Sequence, residues 1–324
     1  MPNTEADSTV AVAVGVLIDE RHRVLVARRA AESHQGGLWE FPGGKVERGE
    51  TAYQALCREF QEEIGITITT ASQFLKAKHA YADKIVELDV WRIESYSGNA
   101  HGNEGQDIKW VNIDSLHALA FPKANRRIIN TLQLPNVYGI SSASRYGTQN
   151  FLKRLQAKLD EGLALLQIRE PGLSEIEVLS LAEQAVKLCH PYNARVLLNG
   201  YLECIEDLGA DGVHLSMKAA RQLTSRPLTD QRLVAVSCHN KQEMDVAYRL
   251  DADFAVLSPV LPTNSHPGAP TLGWDTFMEL SRSVPVPVYA LGGMKQEHII
   301  QAQKLGGLGV AMLGQLWENS LHTS

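Results

Sequence analysis

The sequence predicts an α/β protein with two domains, at residues 1–134 and 135–324. In the first part, several strands surround one strong helix and a second helix ends the pattern, which predicts an α/β/α sandwich with a mixed sheet. In the second part, eight short apolar runs alternate with helical stretches, which predicts a (β/α)8 barrel. The segment Leu134-Pro135-Asn136 separates the two patterns.

Strands of the first domain are predicted from apolar and β-branched runs that are bounded by polar turns. These runs lie at 10–18, 24–27, 39–42, 66–70, 74–79, 85–93 and 110–113. A helix is predicted between Thr51 and Gly65, and a final helix ends near Leu132. Thr51 and Gln54 can form a capping box at the start of the first helix, and Gly65 is typical of a helix end.

The first helix carries two different stripes. Residues spaced by four form an apolar ridge: Leu56, Phe60 and Ile64. Glu59, Glu62 and Glu63 are spaced by three and four and share a neighbouring stripe. Carboxylates this close repel each other, and a cation would relieve the repulsion. We therefore interpret the acidic stripe as a metal site; the alternative is a solvated acidic face.

The ligands of this predicted site are all oxygen atoms. Such ligands fit Mg²⁺ or Mn²⁺ and do not fit zinc. Mg²⁺ bound by a few carboxylates usually completes its coordination with water and substrate phosphates. The stripe, together with the glycine loop before it, therefore indicates phosphate chemistry.

The whole segment resembles the signature of the Nudix hydrolases at every defined position. The matching residues are Gly44, Glu50 after five residues, and, after seven more, Arg58-Glu59-Phe60-x-Glu62-Glu63-x-Gly65-Ile66. The resemblance implies hydrolysis of a nucleoside diphosphate that is linked to another group. Within this family the first 132 residues resemble the MutT type, which removes oxidised guanine nucleotides such as 8-oxo-dGTP. The further matches are Arg28-Arg29-Ala30-Ala31, His34, Glu40 to Lys45, Asn103 to Gln106, and Phe121-Pro122-x-Ala124-Asn125.

The resemblance also implies a role for each matching residue. The metal ligands would be Glu59, Glu62, Glu63, Glu104 and the Gly43 carbonyl. The catalytic set would be Glu50, Arg58, Glu59 and Glu62, with Glu50 either the general base or an acid that supports the ligands. The nucleotide would contact Arg29, His34, Glu40, Phe41, Pro42, Gly43 and Asn125.

Asn125 is the residue expected to read the base. An amide both donates and accepts hydrogen bonds, so it can pair with the O6/N7 edge of guanine, where oxidation at C8 turns N7 into a donor. A site built for that proton rejects plain guanine, because its own polar groups would stay unpaired. The alternative is that Asn125 caps a helix. Similarly, Arg29 could simply pair with an acid.

The strands of the second domain are predicted at 137–141, 164–169, 196–199, 212–215, 233–237, 254–257, 286–291 and 309–313. In this architecture, binding sites lie at the carboxyl ends of the strands. Polar residues and a glycine pair fall there: Gln167, Arg169, Asn199, His214, Ser237, His239, Thr263 and Gly292-Gly293. A phosphorylated small molecule is a possible ligand, because the amides of Gly292 and Gly293, with Arg169, could bind phosphate. The alternative for Gly292-Gly293 is a tight turn.

The second domain resembles the thiamine-phosphate synthase and TenI family over nearly its whole length. The matching stretches are Gln167 to Glu170, Asp211 to Leu215, Ser237-Cys238-His239, Ser258 to Thr263 and Ala290 to Gly293. The sequence departs from the family pattern at positions that bind metal or substrate or take part in catalysis. Pro171 replaces a lysine, Gly200 and the Ser216-Met217-Lys218 segment stand where the family has metal-binding aspartates, Gly314 replaces a phosphate-binding serine, and Pro259 replaces the tautomerase histidine. Loss of both aspartates should abolish Mg²⁺-pyrophosphate chemistry.

Three hypotheses therefore remain for the whole chain. The barrel is an accessory domain of a sanitising diphosphatase, or it makes or rearranges a thiamine precursor, or it is a non-catalytic binding or dimerisation module. Within the first domain, the rival is a Nudix hydrolase of another nucleotide.

Charge and cysteine content predict which classes of partner the protein binds and in which cellular compartment it works. The net charge is −6 and no block of lysine or arginine stands out, which argues against a nucleic-acid partner. The four cysteines are scattered without a C-x-x-C pair, as in reduced cytosolic proteins. No apolar run approaches the roughly 18 residues of a membrane span, and the polar segment 1–9 is unlike a signal peptide. We expect a cytoplasmic protein that acts on a small-molecule nucleotide, with no membrane partner.

Overall fold

A computed structural model of the protein describes residues 8–30, 32, 35–80, 84–263, 268 and 270–318. The chain folds into two compact units, Met1–Gln133 and Leu134–Ser324. Among the helices of the described residues, none combines the length and the hydropathy that a membrane span requires. The four cysteines, all described, are free thiols, as predicted.

The first unit contains two sheets and two α-helices among its described residues. Its strands are β1 (Ser8–Leu17), β2 (Arg23–Arg28), β3 (Trp39–Glu40), β4 (Gly43–Lys45), β5 (Thr67–Ala80), β6 (Lys84–Ser97) and β7 (Ile108–Asn112). Its helices are α1 (Ala52–Glu59) and α2 (Arg126–Leu132). One sheet has the order β4-β1-β6-β5, with β1 and β6 parallel and the other pairs antiparallel. The other has the order β3-β2-β7. The predicted mixed sheet is confirmed.

Strand β5 is longer than predicted. The sequence suggested two strands, at 66–70 and 74–79, with a break at 71–73. The structure keeps them in one strand, with register shifts between 68 and 75 that absorb the extra residues. Hydrogen bonds across to β6, such as Ser72 Oγ to Glu94 Oε1 at 2.7 Å, satisfy the polar side chains.

Helix α1 begins and packs as predicted. Thr51 and Gln54 form the capping box. The ridge of Leu56, Phe60 and Ile64 is fully buried against the β1 and β6 side of the unit. The helix ends in a π turn, Phe60–Ile64, and Gly65 closes it with φ of 71°. The π turn was not predicted.

The second unit is a closed barrel of eight parallel strands, which confirms the predicted (β/α)8 architecture. Its strands are β8 (Val137–Ile140), β9 (Leu165–Ile168), β10 (Arg195–Asn199), β11 (Gly212–Leu215), β12 (Leu233–Cys238), β13 (Phe254–Leu257), β14 (Val288–Ala290) and β15 (Gly309–Met312). The helices are α3 (Ala143–Tyr146), α4 (Thr148–Asp160), α5 (Glu175–Cys189), α6 (Met217–Gln222), α7 (Lys241–Arg249), α8 (Gly273–Ser283), α9 (Ile299–Lys304) and α10 (Gly314–Trp317).

Aromatic side chains fill the inside of the barrel. The ring of Phe254 lies 5.2 Å from the ring of Tyr138 and 5.2 Å from the ring of Tyr289, edge to face in both cases. All three side chains are fully buried. The barrel interior is therefore a packed core, and ligand sites are restricted to the strand ends.

Candidate active site

A cleft of about 940 Å³ opens in the first unit. Predicted site residues line it: Arg29, Glu40, Phe41, Gly43, Glu63, Glu104 and Asn125. Its apolar part comes from alternate residues of β1, namely Val10, Val12 and Val14, and from Val86 and Leu88 of β6. The cleft thus combines an apolar surface that suits a base with acidic groups that suit a metal–phosphate complex. His34 lies outside the described residues.

Two glycines of β4 allow close contacts, Gly43 with the neighbouring strand β1 and Gly44 with the acidic helix. Gly43 pairs with Val14, and a Cβ atom at Gly43 would lie 2.1 Å from the Ala13 carbonyl oxygen. A Cβ atom at Gly44 would lie 2.0 Å from Oε1 of Glu59. Any larger residue would displace the Glu59 carboxylate, so the glycine loop and the acids form one structural unit.

Arg58 lies at the centre of the predicted catalytic set. Its Nε and Nη2 donate to the two carboxylate oxygens of Glu50, at 3.0 and 2.9 Å. Its Nη1 donates to Glu59 at 2.7 Å and lies 3.5 Å from Glu62. The hydrogen bonds from Arg58 and from the Glu47 amide hold the pKa of Glu50 below its usual value. The Glu50 carboxylate is therefore ionised and fully engaged.

Glu63 is the carboxylate of the cleft whose ionisation is most opposed by its surroundings. Burial first, and then the charges of Glu59, Glu40 and Glu104, raise its pKa to about 8, while a hydrogen bond from the Gly43 amide opposes the shift. The negative charges of three neighbouring carboxylates thus oppose the ionisation of one partly buried acid. A divalent cation would relieve this repulsion.

The oxygen ligands of this cluster fit Mg²⁺ or Mn²⁺. Within the described ranges, no three acidic, histidine or cysteine side chains converge into a ready-made metal cage. The reason lies in the partners of two predicted ligands. Glu59 is paired with Arg58, and Glu62 is 55% exposed and does not line the cleft. Of the acidic stripe expected from the sequence, Glu63 therefore lines the cleft, whereas Glu59 is paired with Arg58.

The cleft also contains a half-buried ion pair. Arg29 and Glu40 are hydrogen-bonded to each other, which agrees with the alternative that Arg29 pairs with an acid. Burial raises the pKa of Glu40, and the positive charge of Arg29 opposes that shift. Phe41 is buried beside this pair and stacks on Phe121, with ring centroids 5.6 Å apart.

Asn125 lies at the start of α2 and is only 7% exposed. Its side chain makes no capping hydrogen bond to the described residues of the helix, so the interpretation as a cap is wrong. The amide lines the cleft instead. The Asn125 side chain is therefore placed where a molecule bound in the cleft could contact it.

In the barrel, the structure gathers predicted polar residues at the mouth, although not into an acidic site. Gln167 donates to Asn199 at 3.1 Å, and Arg169 is exposed. They lie beside Glu170, whose two oxygens accept hydrogen bonds from the amides of Ala143 at 2.6 Å and Ser144 at 2.9 Å. A cavity of about 130 Å³ lies between Arg169, Glu170 and Asn199. Glu170 is thus committed to the protein backbone.

The glycine pair of the barrel lies in a bend that follows β14. Gly292 and Gly293 have φ angles of 97° and 67°. Cβ atoms at these positions would lie 2.7 Å from Cβ of Pro259 and 2.5 Å from the Pro262 carbonyl oxygen. These contacts account for the need for glycine at both positions, while phosphate binding by their amides stays a prediction.

His214 lies within hydrogen-bonding distance of one residue in the barrel interior, Tyr138, and of one at the barrel mouth, Ser237. Its Nδ1 lies 3.1 Å from the Tyr138 hydroxyl and its Nε2 lies 2.8 Å from Ser237 Oγ. Burial, and to a smaller extent the charge of Arg169, lowers the pKa of His214 to about 3. The ring is therefore neutral at physiological pH.

Sequence reasoning did not assign a role to several residues of the cleft. The valines at 10, 12 and 14 alternate along a strand, and that spacing could have placed them on one face. Lys45 and Gln106 also line the cleft. Gln106 has no periodic signal in the sequence, because its side chain contacts the Glu63 carbonyl, 43 residues away.

Comparisons with known proteins agree with the two units. The model of the NUDIX domain matches residues 13–131, and the model of thiamine monophosphate synthase matches residues 137–316. The chain is 41% identical over 122 residues to the 8-oxo-dGTP diphosphatase of Escherichia coli (strain K12), covering 38% of this chain and 95% of that protein. It is 36% identical over 111 residues to the CTP pyrophosphohydrolase of the same organism, covering 34% of this chain and 81% of that protein.

The second unit is similar to a protein of Aquifex aeolicus (strain VF5) that is provisionally named thiamine-phosphate synthase 2. The identity is 34% over 187 residues, which cover 58% of this chain and 100% of that protein. The first unit is a hydrolase that acts on phosphoric anhydrides. The chain therefore belongs to the Nudix hydrolases through its first unit and to the thiamine monophosphate synthase family through its second unit.

Proposed function

We propose that the first unit is an Mg²⁺-dependent diphosphatase that converts 8-oxo-dGTP and water into 8-oxo-dGMP and pyrophosphate. The observation that carries this proposal is the buried amide of Asn125, which lines the same cleft as Glu63 and has no capping role. The similarity to a bacterial 8-oxo-dGTP diphosphatase supports it. Removal of this nucleotide from the precursor pool would prevent mutations.

Metal binding would use the carboxylates of Glu59, Glu62, Glu63 and Glu104 with the Gly43 carbonyl. The cation would shield the phosphate charges and lower the pKa of a water molecule. Glu50 is a poor proton acceptor, because Arg58 and the Glu47 amide occupy both of its oxygens. We assign it to positioning Arg58. Glu62 has the most exposed carboxylate of the catalytic set, which leaves it accessible to the cation, and a carboxylate of this set would accept the proton of the attacking water.

Substrate binding would begin with the base. The valines of β1 would contact its face, and Asn125 would accept the N7 proton that oxidation creates while donating to O6. Arg29, oriented by Glu40, would contact the nucleotide. Dissociation of Arg29 from Glu40 is not required, because a guanidinium has five N–H donors.

Product analysis tests this reaction. The full chain is incubated with 8-oxo-dGTP and Mg²⁺, and the products are separated by anion exchange. We expect 8-oxo-dGMP and pyrophosphate in equal amounts. Formation of 8-oxo-dGDP and orthophosphate would contradict the proposal. CTP serves as the rival substrate, because the chain is also similar to a CTP pyrophosphohydrolase.

For the barrel, we propose an accessory domain without thiamine-phosphate synthase or tautomerase activity, and we place the functional boundary between residues 134 and 135. The missing carboxylate at Gly200 supports this, because Gly200 follows Asn199 of the small cavity and stands where the related family has a metal-binding aspartate. Free thiols at all four cysteines support a cytoplasmic location.

A further inference from the structure

The loop at 98–107, which carries Glu104, is attached to the end of the acidic helix. The amides of His101 and Asn103 donate to the carbonyls of Ile64 and Glu63, at 3.0 and 2.9 Å. The side chain of Asn103 donates to the carbonyl of Glu62 at 2.9 Å. These carbonyls belong to the last turn of the helix, where intrahelical partners are missing. The loop therefore completes the helix end.

Gln106 makes a different kind of contact. Its Nε2 donates to the Glu63 carbonyl at 2.8 Å, and its Oε1 accepts from the Glu104 amide at 3.0 Å. One half-buried side chain thus joins the backbones of two predicted metal ligands that are 41 residues apart in the sequence. Asn103 anchors the loop to the helix, but its side chain contacts the Glu62 carbonyl and not Glu104.

We propose that Gln106 is a positioning residue that fixes the separation of Glu63 and Glu104 for the cation. This inference rests on the proposed metal site. The geometry of a hard divalent cation is demanding, and an exposed loop residue such as Glu104 loses conformational entropy when it binds. The amide bridge removes part of this cost before the cation arrives. Asn103 and His101 keep the loop attached when the bridge is absent, so loss of Gln106 should leave the fold intact.

Mn²⁺ binding to the full chain without nucleotide tests the proposal, with free Mn²⁺ measured by electron paramagnetic resonance. Gln106→Met keeps the length of the side chain and removes both hydrogen bonds. We expect it to weaken Mn²⁺ binding about tenfold, as for other residues that orient metal ligands. Gln106→Asn, which is too short to bridge, should behave in the same way and serves if the methionine variant does not fold.

A double-mutant cycle separates positioning from a general structural effect. If Gln106 acts through Glu104, Gln106→Met should have almost no further effect in the Glu104→Gln background. An equal loss in both backgrounds would overturn the proposal. Gln133→Met is the matched control, because Gln133 also donates Nε2 to a backbone carbonyl, that of Ile113 at 3.0 Å, and does not line the cleft. It should bind Mn²⁺ like the parent protein.

The outcomes also distinguish this inference from the proposed metal site. If Glu63→Gln and Glu104→Gln weaken Mn²⁺ binding while Gln106→Met changes it less than about twofold, only the positioning role fails. If neither glutamate variant changes Mn²⁺ binding, the proposed metal site fails and the role of Gln106 fails with it. We expect each of the three single variants to weaken Mn²⁺ binding. The double variant should bind Mn²⁺ no more weakly than Glu104→Gln alone.

Discussion

Arg58 binds both carboxylate oxygens of Glu50, with Nε 3.0 Å from Oε1 and Nη2 2.9 Å from Oε2. The same guanidinium donates to Glu59 at 2.7 Å. A bidentate pair of this kind fixes the plane of the guanidinium. Glu50 therefore orients Arg58, and Arg58 in turn holds the carboxylate of a predicted metal ligand.

Glu50→Gln should consequently impair turnover without abolishing it. The amide keeps the shape of the side chain but replaces one acceptor with a donor that faces Arg58. We expect kcat to fall about 10- to 100-fold, in the range seen for residues that orient metal ligands, with the same pH profile as the parent enzyme. The measurement is kcat against pH with saturating Mg²⁺. Disappearance of an acidic limb from the profile would instead identify Glu50 as the general base.

Replacement of the proposed ligands should have a larger effect. Glu62→Gln and Glu63→Gln each remove a charge that the cation needs, so Mg²⁺-dependent turnover should fall by more than about 100-fold. Removal of Mg²⁺ with a chelator should abolish turnover in the parent enzyme. Glu94→Gln is the control, because Glu94 is exposed on β6 and bonds Ser72. An active Glu62→Gln variant would contradict the assignment.

Asn125 should determine selectivity more than overall turnover. Asn125→Ala removes the amide that pairs with the oxidised base, so kcat/KM for 8-oxo-dGTP should fall about 100-fold while that for dGTP changes less than about threefold. Asn130→Ala, in the same helix but outside the cleft, should leave both values unchanged. Equal losses for all nucleotides in Asn125→Ala would refute the role as base reader.

His214 should make the stability of the protein pH-dependent. Its folded-state pKa is about 3, against an ordinary value of 6.5. As pH falls below 6.5, the unfolded chain binds a proton that the folded barrel does not, so stability is full above pH 6.5 and is lost between about 6.5 and 3. The slope from this residue is up to about 1.4 kcal/mol per pH unit.

Urea unfolding of the full chain at about pH 7 and about pH 5 measures this effect. His214→Asn keeps a polar side chain beside Ser237 but cannot titrate, so the loss of stability between the two pH values should be smaller by about 2 kcal/mol. An unchanged pH dependence in the variant would show that His214 is not the responsible group.

The barrel should not form thiamine phosphate from a pyrimidine diphosphate and a thiazole phosphate, with or without Mg²⁺. The physical reason is that Gly200 and the segment 216–218 carry no carboxylate at the positions where the related family binds its metal. The assay follows product formation by fluorescence after oxidation. Turnover at a rate comparable with nucleotide hydrolysis would restore the bifunctional hypothesis.

Much of the fold was predictable because its signals are local. The capping box of Thr51 and Gln54 depends on residues three positions apart, and the barrel strands are short apolar runs. The π turn at Phe60–Ile64 has no comparable local signal, and its carbonyls accept hydrogen bonds from the loop at 98–107, which lies far away in the sequence.

The site was predictable in composition but not in arrangement. The signature identified Glu59, Glu62 and Glu63. The sequence did not show that Arg58 would pair with Glu59 and lie near Glu62. Gln106 reaches a carbonyl 43 residues away. Such long-range hydrogen bonds have no periodic signal along the chain.

The most direct test of the central claim is steady-state hydrolysis of 8-oxo-dGTP and dGTP by the full chain with Mg²⁺, with CTP as a third substrate. The account predicts that kcat/KM for 8-oxo-dGTP exceeds that for dGTP by at least about 100-fold. Similar values for the two guanine nucleotides, or a higher value for CTP, would contradict it.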